Sequence, residues 1–153
     1  FSFVRVRYTD TLNNGSFMMR NVIAVMVGLA AGMVVNMAIV MLNSKVLFPM
    51  PEGLDWKDKE GFAVYVSTLP WTAFAVVLAT HLGQSFFGGL VAAHLSKNKP
   101  MLVALIVGAV TMVGGLMMLN STPHPTWMWI EVPLYIVTAW VAGNLVIGYR
   151  AKL

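Results

Sequence analysis

From Val22 to Leu42 the chain runs 21 residues without a charged side chain, close to the roughly 20 that an α-helix needs to cross about 30 Å of hydrocarbon. Further apolar runs follow at about 71–95, 101–119 and 132–149. Lipid offers backbone N–H and C=O groups no water, so such segments span as helices that satisfy their own hydrogen bonds. The pattern predicts an all-α fold, a four-transmembrane-helix bundle. The first run is long for a signal-peptide core, and no A-x-A pattern closes it. Pro70, Pro100 and Pro133 stand at or near helix starts, where a missing N–H costs little.

Composition agrees: 58% of residues are hydrophobic and 10% charged, against about 25% charged in soluble domains. Four spans use nearly all of the 153 residues, leaving a single membrane domain at 19–153. Residues 1–17 begin without methionine and alternate polar with apolar. The expectation is that translation naturally starts at Met18 or Met19, which makes 1–18 a leader or non-native extension. With no cysteine, disulfides, thiolate metal sites and thiol redox chemistry are excluded. The net charge of +4 sits at helix ends without interleaved aromatics, which argues against nucleic acid.

Cytoplasmic loops are enriched in Lys and Arg. Arg20 precedes span one, Lys97 and Lys99 separate spans two and three, and Arg150 and Lys152 follow span four. Both termini are therefore expected inside, an N-in/C-in topology, with Phe48, Trp56, Trp71, Trp127 and Trp129 as an outer aromatic belt. Tyr149 falls at the inner edge, and Trp140 falls near mid-membrane. The loop from Ser44 to Leu69 is the only long one. Pro49, Pro51 and Gly53 predict a turn, and Asp55 can cap a short interfacial helix with Phe62, Tyr65, Val66 and Leu69 along one stripe.

Helices associate in lipid through small residues and interhelical hydrogen bonds. Ala24, Gly28, Gly32 and Asn36 recur every fourth residue of span one, with Asn43 seven further on. On span two His81, Gln84, Ser85, Gly88 and Ala92 are assigned one face, with Gly89 and Ala93 beside them. Span three offers Ala104, Gly108, Thr111 and Gly115. Span four offers Tyr135, Thr138 and Ala142 on one stripe, Asn144 and Gly148 on another. Gly28, Gly32, Gly88, Gly89, Gly108 and Gly115 are the expected packing positions. Asn36, His81, Gln84 and Ser85 form the candidate intramembrane polar site, with Asn36 bonded to Gln84 or His81.

His81 falls near the bilayer centre, where an ionisable residue is a candidate site by default. No carboxylate lies within the expected spans, and Glu131 is assigned to the outer boundary, so His81 has no evident acidic partner. His81 and His94 lie about 20 Å apart on one helix, which does not suit a transmembrane haem with ligands from two helices. His94 is expected to snorkel to the interface, and His124 to occupy a Pro-rich turn. No cofactor or metal is expected. No serine or threonine has a context that recruits a histidine and an acid, so no enzyme is expected.

In the Pro49-to-Asp55 segment PMPEGLD, the stretch from His81-Leu82-Gly83 to Gly88-Gly89 and the turn from Pro123 to Trp127, the chain resembles a group of small bacterial four-helix membrane proteins. The resemblance runs from about Arg20 to the C-terminus and implies the cytoplasmic membrane of a bacterium; it carries over no active site. Small multidrug transporters share the size and helix number but depend on a glutamate in their first helix, where this chain has only Asn36.

These features predict a non-catalytic accessory or stabilising subunit, which packs against itself or a larger membrane complex through surplus glycine seams. The alternative is a small transporter or channel for a small molecule or ion, with a polar pathway around His81, Gln84 and Asn36.

Overall fold

A computed structural model describes residues 2–55 and 57–153, with side chains from residue 17 onward. Among these residues five α-helices form: α1 (Ser2–Leu42), α2 (Lys59–Thr68), α3 (Trp71–Leu95), α4 (Pro100–Ser121) and α5 (Glu131–Arg150). A π-helical turn at Asn43–Leu47 extends α1, and a 3-10 turn at Thr126–Ile130 leads into α5. No strand occurs among the described residues. Four segments among the described residues are long and apolar enough to cross a membrane: Phe17–Leu47, Trp71–Leu95, Pro100–Ser121 and Thr126–Arg150. The first helix exceeds the expected 22–42 at both ends, since α1 is already helical before Val22 and the π turn carries it past Leu42.

Local chemistry sets the ends. Pro100 occupies the first turn of α4, where no intrahelical N–H bond is lost. Gly53 turns the loop with φ +82, a left-handed conformation that glycine adopts without Cβ strain. The cap of α2 is Asp58, which accepts from the Gly61 N–H at 3.0 Å, and not Asp55 as expected. Asp55 accepts from the Lys57 N–H at 2.9 Å one turn earlier, so the chain is not yet helical there. The stripe of Phe62, Tyr65, Val66 and Leu69 does turn inward, while Val64, Ser67 and Thr68 are exposed. Trp56, assigned to the aromatic belt, lies outside the described residues.

Helix α3 is the hub, packing against α1, α4 and α5, while α4 also packs on α5. Small residues allow this. A Cβ at Gly28 would lie 2.6 Å from the Gly88 carbonyl oxygen, and one at Gly88 would lie 2.8 Å from the Gly28 carbonyl oxygen. The backbones of α1 and α3 therefore cross with no room for a methyl group, the close approach that small-xxx-small seams provide in lipid. Beside the crossing, Ala92, Val103 and Val107 form one buried cluster, and Ala93, Ala104 and Val146 form another between α3, α4 and α5.

Basic residues tie one end of the bundle. Arg150 donates to the carbonyls of Ala93, His94 and Ser96 at 3.1, 2.7 and 2.8 Å, and Arg20 donates to that of Leu95 at 3.2 Å. These are the carbonyls a helix C-terminus leaves unsatisfied, and the positive charges suit the negative end of the α3 dipole. This is the Arg150 end; the opposite one, covered by α2, is the α2 end.

Candidate functional site

The candidate polar residues divide over two interfaces. Gln84 turns toward α1, where its Oε1 accepts from Asn36 Nδ2 at 2.7 Å. His81 and Ser85, one turn apart, face α5 instead. The single face assigned to all three does not exist, because Gln84 is offset around the helix from the line through residues 81, 85 and 89.

Three contacts share one separation along the chain. His81 meets Glu131, and the Ser85 hydroxyl donates to the Tyr135 carbonyl at 2.8 Å, each across 50 positions; Gly89 lies against Ala139. A constant offset means that α3 and α5 run parallel and in register over about two turns. Glu131, placed at the outer boundary from its position along the chain, thus stands level with His81, ten residues inside α3. Its Oε2 lies 3.0 Å from His81 Nδ1, and the residue is fully buried. His81 therefore has the acidic partner that reading the spans separately denied it.

Either the imidazole donates from Nδ1 to a carboxylate, or a protonated carboxyl donates to Nδ1. In both cases one proton lies between the two side chains. Tyr135 completes the group. Its ring stacks on the imidazole at 6.2 Å between centroids, its hydroxyl makes a long 3.5 Å contact with Glu131 Oε1, and the phenol rests against Gly115, where a Cβ would collide with it.

The histidine forms the floor of a cavity of about 150 Å³ at the α2 end. Its walls come from α1 and its π turn, α2, α3, α4 and the turn before α5. Lining polar groups are mostly engaged: Ser44 donates to Val40, Tyr65 donates to the Phe48 carbonyl at 2.8 Å, and His124 Nδ1 donates to the Thr122 carbonyl at 2.9 Å. Burial raises the Tyr65 phenol above its ordinary pKa. Among the described residues one group is orphaned: Asn43 Oδ1 is buried without a hydrogen-bond partner. Toward the Arg150 end the interior closes, with Ser85, Ala92 and Ala93 at 0% exposure.

Of the expected packing glycines, Gly28, Gly32, Gly88, Gly89, Gly108 and Gly115 all face neighbouring helices of the same chain. These six positions serve packing within the chain. Gly114 and Gly148 face open space. His94 is exposed as expected, and His124 sits in its turn with its ring edge-on to Trp129. Two residues of consequence, Glu131 and Asn43, were not among the candidates. Asn43 had a signal in its spacing from Asn36; Glu131 had none, since its depth depends on the helix register. The chain matches no protein family, no curated protein and no solved structure.

Proposed function

We propose that the protein is a small, non-catalytic, proton-linked transporter of small solutes in a bacterial cytoplasmic membrane. The basic residues at the Arg150 end support a reading with both termini inside, in which α2 serves at the outer interface as a lid over the cavity. The observation that carries this reading is the His81–Glu131 pair, buried within the span at the floor of a cavity. Ionisable residues at such depth are expensive to keep, pair with one another, and mark proton relays and substrate paths. The titratable side chains lining the cavity are His81, His124 and Tyr65, with Glu131 and Tyr135 behind His81. Of these, His81 joins the cavity to the buried carboxyl. The closed interior below Ser85 blocks passage toward the Arg150 end, so transport requires a second state in which α3 separates from α5 or α1.

The test is dissipation of an imposed pH gradient in liposomes containing the purified chain. Dissipation is expected to be faster than in empty liposomes and to return to the empty rate in His81→Ala and Glu131→Gln. Equal rates for all three proteins would remove the basis of the reading.

A second reading, an accessory or self-associating subunit, is favoured by one position. Asn144 is exposed on the apolar surface of α5, its amide bonded only to the Trp140 carbonyl one turn back at 3.0 Å. An amide facing lipid finds its best partner on another helix, from a second copy or a larger complex. The chain has no cysteine, so Asn144→Cys offers a single cross-linking site. A disulfide-linked dimer, or a heterologous adduct in native membranes, is the expected product; an unmodified monomer under oxidation refutes this reading.

A further inference from the structure

We propose that the cavity at the α2 end is a binding site for a neutral single-ring molecule bearing a hydroxyl group, a phenol; this assignment rests on reading the cavity as the solute site. At about 150 Å³ it matches the volume at which an apolar protein cavity takes up benzene. The walls suit a ring: Phe48, Phe62 and Phe74, with Met118 and Met128, offer aromatic edges and polarizable thioethers, both of which favour aromatic partners.

The polar requirements are specific. Asn43 Oδ1 is a buried acceptor with no donor among the described residues, a condition rare enough in folded proteins to call for a cause. The π turn that begins at Asn43, closed by the Phe48 N–H on the Asn43 carbonyl at 2.8 Å, holds the amide at the cavity wall; such turns recur at functional sites. Ser44, Tyr65 and His124 are already engaged, so none of their groups serves as the missing donor. A ligand hydroxyl supplies one. At the floor, the Nδ1 edge of His81 is held by Glu131, and the other ring nitrogen makes no hydrogen bond among the described residues. A hydroxyl, which both donates and accepts, suits either protonation state of that imidazole. A charged ligand is disfavoured, because the walls are apolar and the one carboxyl nearby is already paired, leaving no counter-charge to offset lost hydration.

The experiment measures equilibrium binding of phenol, anisole and benzene to the full chain in phosphatidylcholine nanodiscs, against empty nanodiscs. Phenol is expected to bind saturably at one site, roughly tenfold more tightly than anisole or benzene, the difference one hydrogen bond makes. Asn43→Leu is expected to lower phenol to the level of benzene with helicity and melting preserved, and Val77→Trp, which fills the cavity, to abolish binding of all three. Phenol uptake no greater than in empty nanodiscs, anisole binding as tightly as phenol, or an unchanged phenol affinity in Asn43→Leu would each overturn the assignment. Adding a long-chain hydroquinone to the nanodisc separates the sources. Displacement of phenol identifies a membrane-borne ring and lack of displacement a water-borne one, and either sustains the site. No gradient is involved, so loss of phenol binding alongside intact pH-gradient dissipation refutes the ligand and leaves the transport reading standing.

Discussion

Ser85 donates its hydroxyl proton to the backbone carbonyl of Tyr135 at 2.8 Å, with Ser85 fully buried. The Tyr135 carbonyl lies in the second turn of α5, so this bond pins the start of that helix to a fixed height on α3. One turn away, the same register delivers Glu131 to His81.

Breaking the pair from one side leaves a buried polar group without its partner, which costs about 1–3 kcal/mol. Glu131→Ala and His81→Ala are each expected to lose about that much stability in detergent unfolding, and the double variant less than the sum. A coupling of about 1 kcal/mol or more in the double-mutant cycle is the expected outcome. Strict additivity would show that the two side chains do not interact.

At the α1–α3 crossing, Gly28→Ala places its methyl group 2.6 Å from the Gly88 carbonyl oxygen, which is backbone and cannot rotate away. Overpacking of this kind costs about 1–3 kcal/mol. Gly148→Ala, which meets nothing within 4 Å, is the matched control, expected within about 0.5 kcal/mol of the native chain. Thermal melting of both variants in one detergent decides it.

Arg150 holds three carbonyls at the end of α3 with two nitrogens of its planar guanidinium. Lysine carries the charge but lacks the fork. Arg150→Lys is therefore expected to recover only part of the stability lost in Arg150→Ala. Hydrogen exchange of the last turn of α3 measures this, with faster exchange in both variants and the fastest in alanine.

The Tyr65 phenol, raised by burial and donating to Phe48, favours its neutral form in the folded state. Its folded pKa exceeds the unfolded value, so the folded chain retains the proton longer, and the stabilisation it gives is present below about pH 10 and fades as pH rises through the folded pKa. Alkaline titration is expected to loosen α2 from the bundle, measured as protease cleavage in the 44–69 loop. Tyr65→Phe should show a smaller change over the same range; an identical profile would exclude Tyr65 as a contributor.

Much of the architecture was legible before folding. Span number and approximate limits follow from hydropathy, because lipid imposes one length on every crossing. Ala104, Gly108, Thr111 and Gly115 were assigned one face of α4, and all four are buried. The partnership of Asn36 with Gln84 was among the two pairings expected from their spacing. These are properties of a single helix, or of two polar groups that lipid compels to meet.

What only the tertiary structure decided concerns pairs of helices and irregular turns. Hydropathy counts Glu131 from the nearest end of its own span, and nothing in the chain states that α3 rises ten residues above it. That relation follows from parallel packing of α3 on α5, where Ser85 meets Tyr135 and, one turn on, Gly89 meets Ala139. In the same way, the π turn after α1 and the inward stripe of α2 leave Asn43 Oδ1 buried beside a cavity. The sequence by itself determined a four-span helical bundle and its close-packing faces, since burial in lipid acts on each segment alone; register, depth and the cavity arose only where separate segments met.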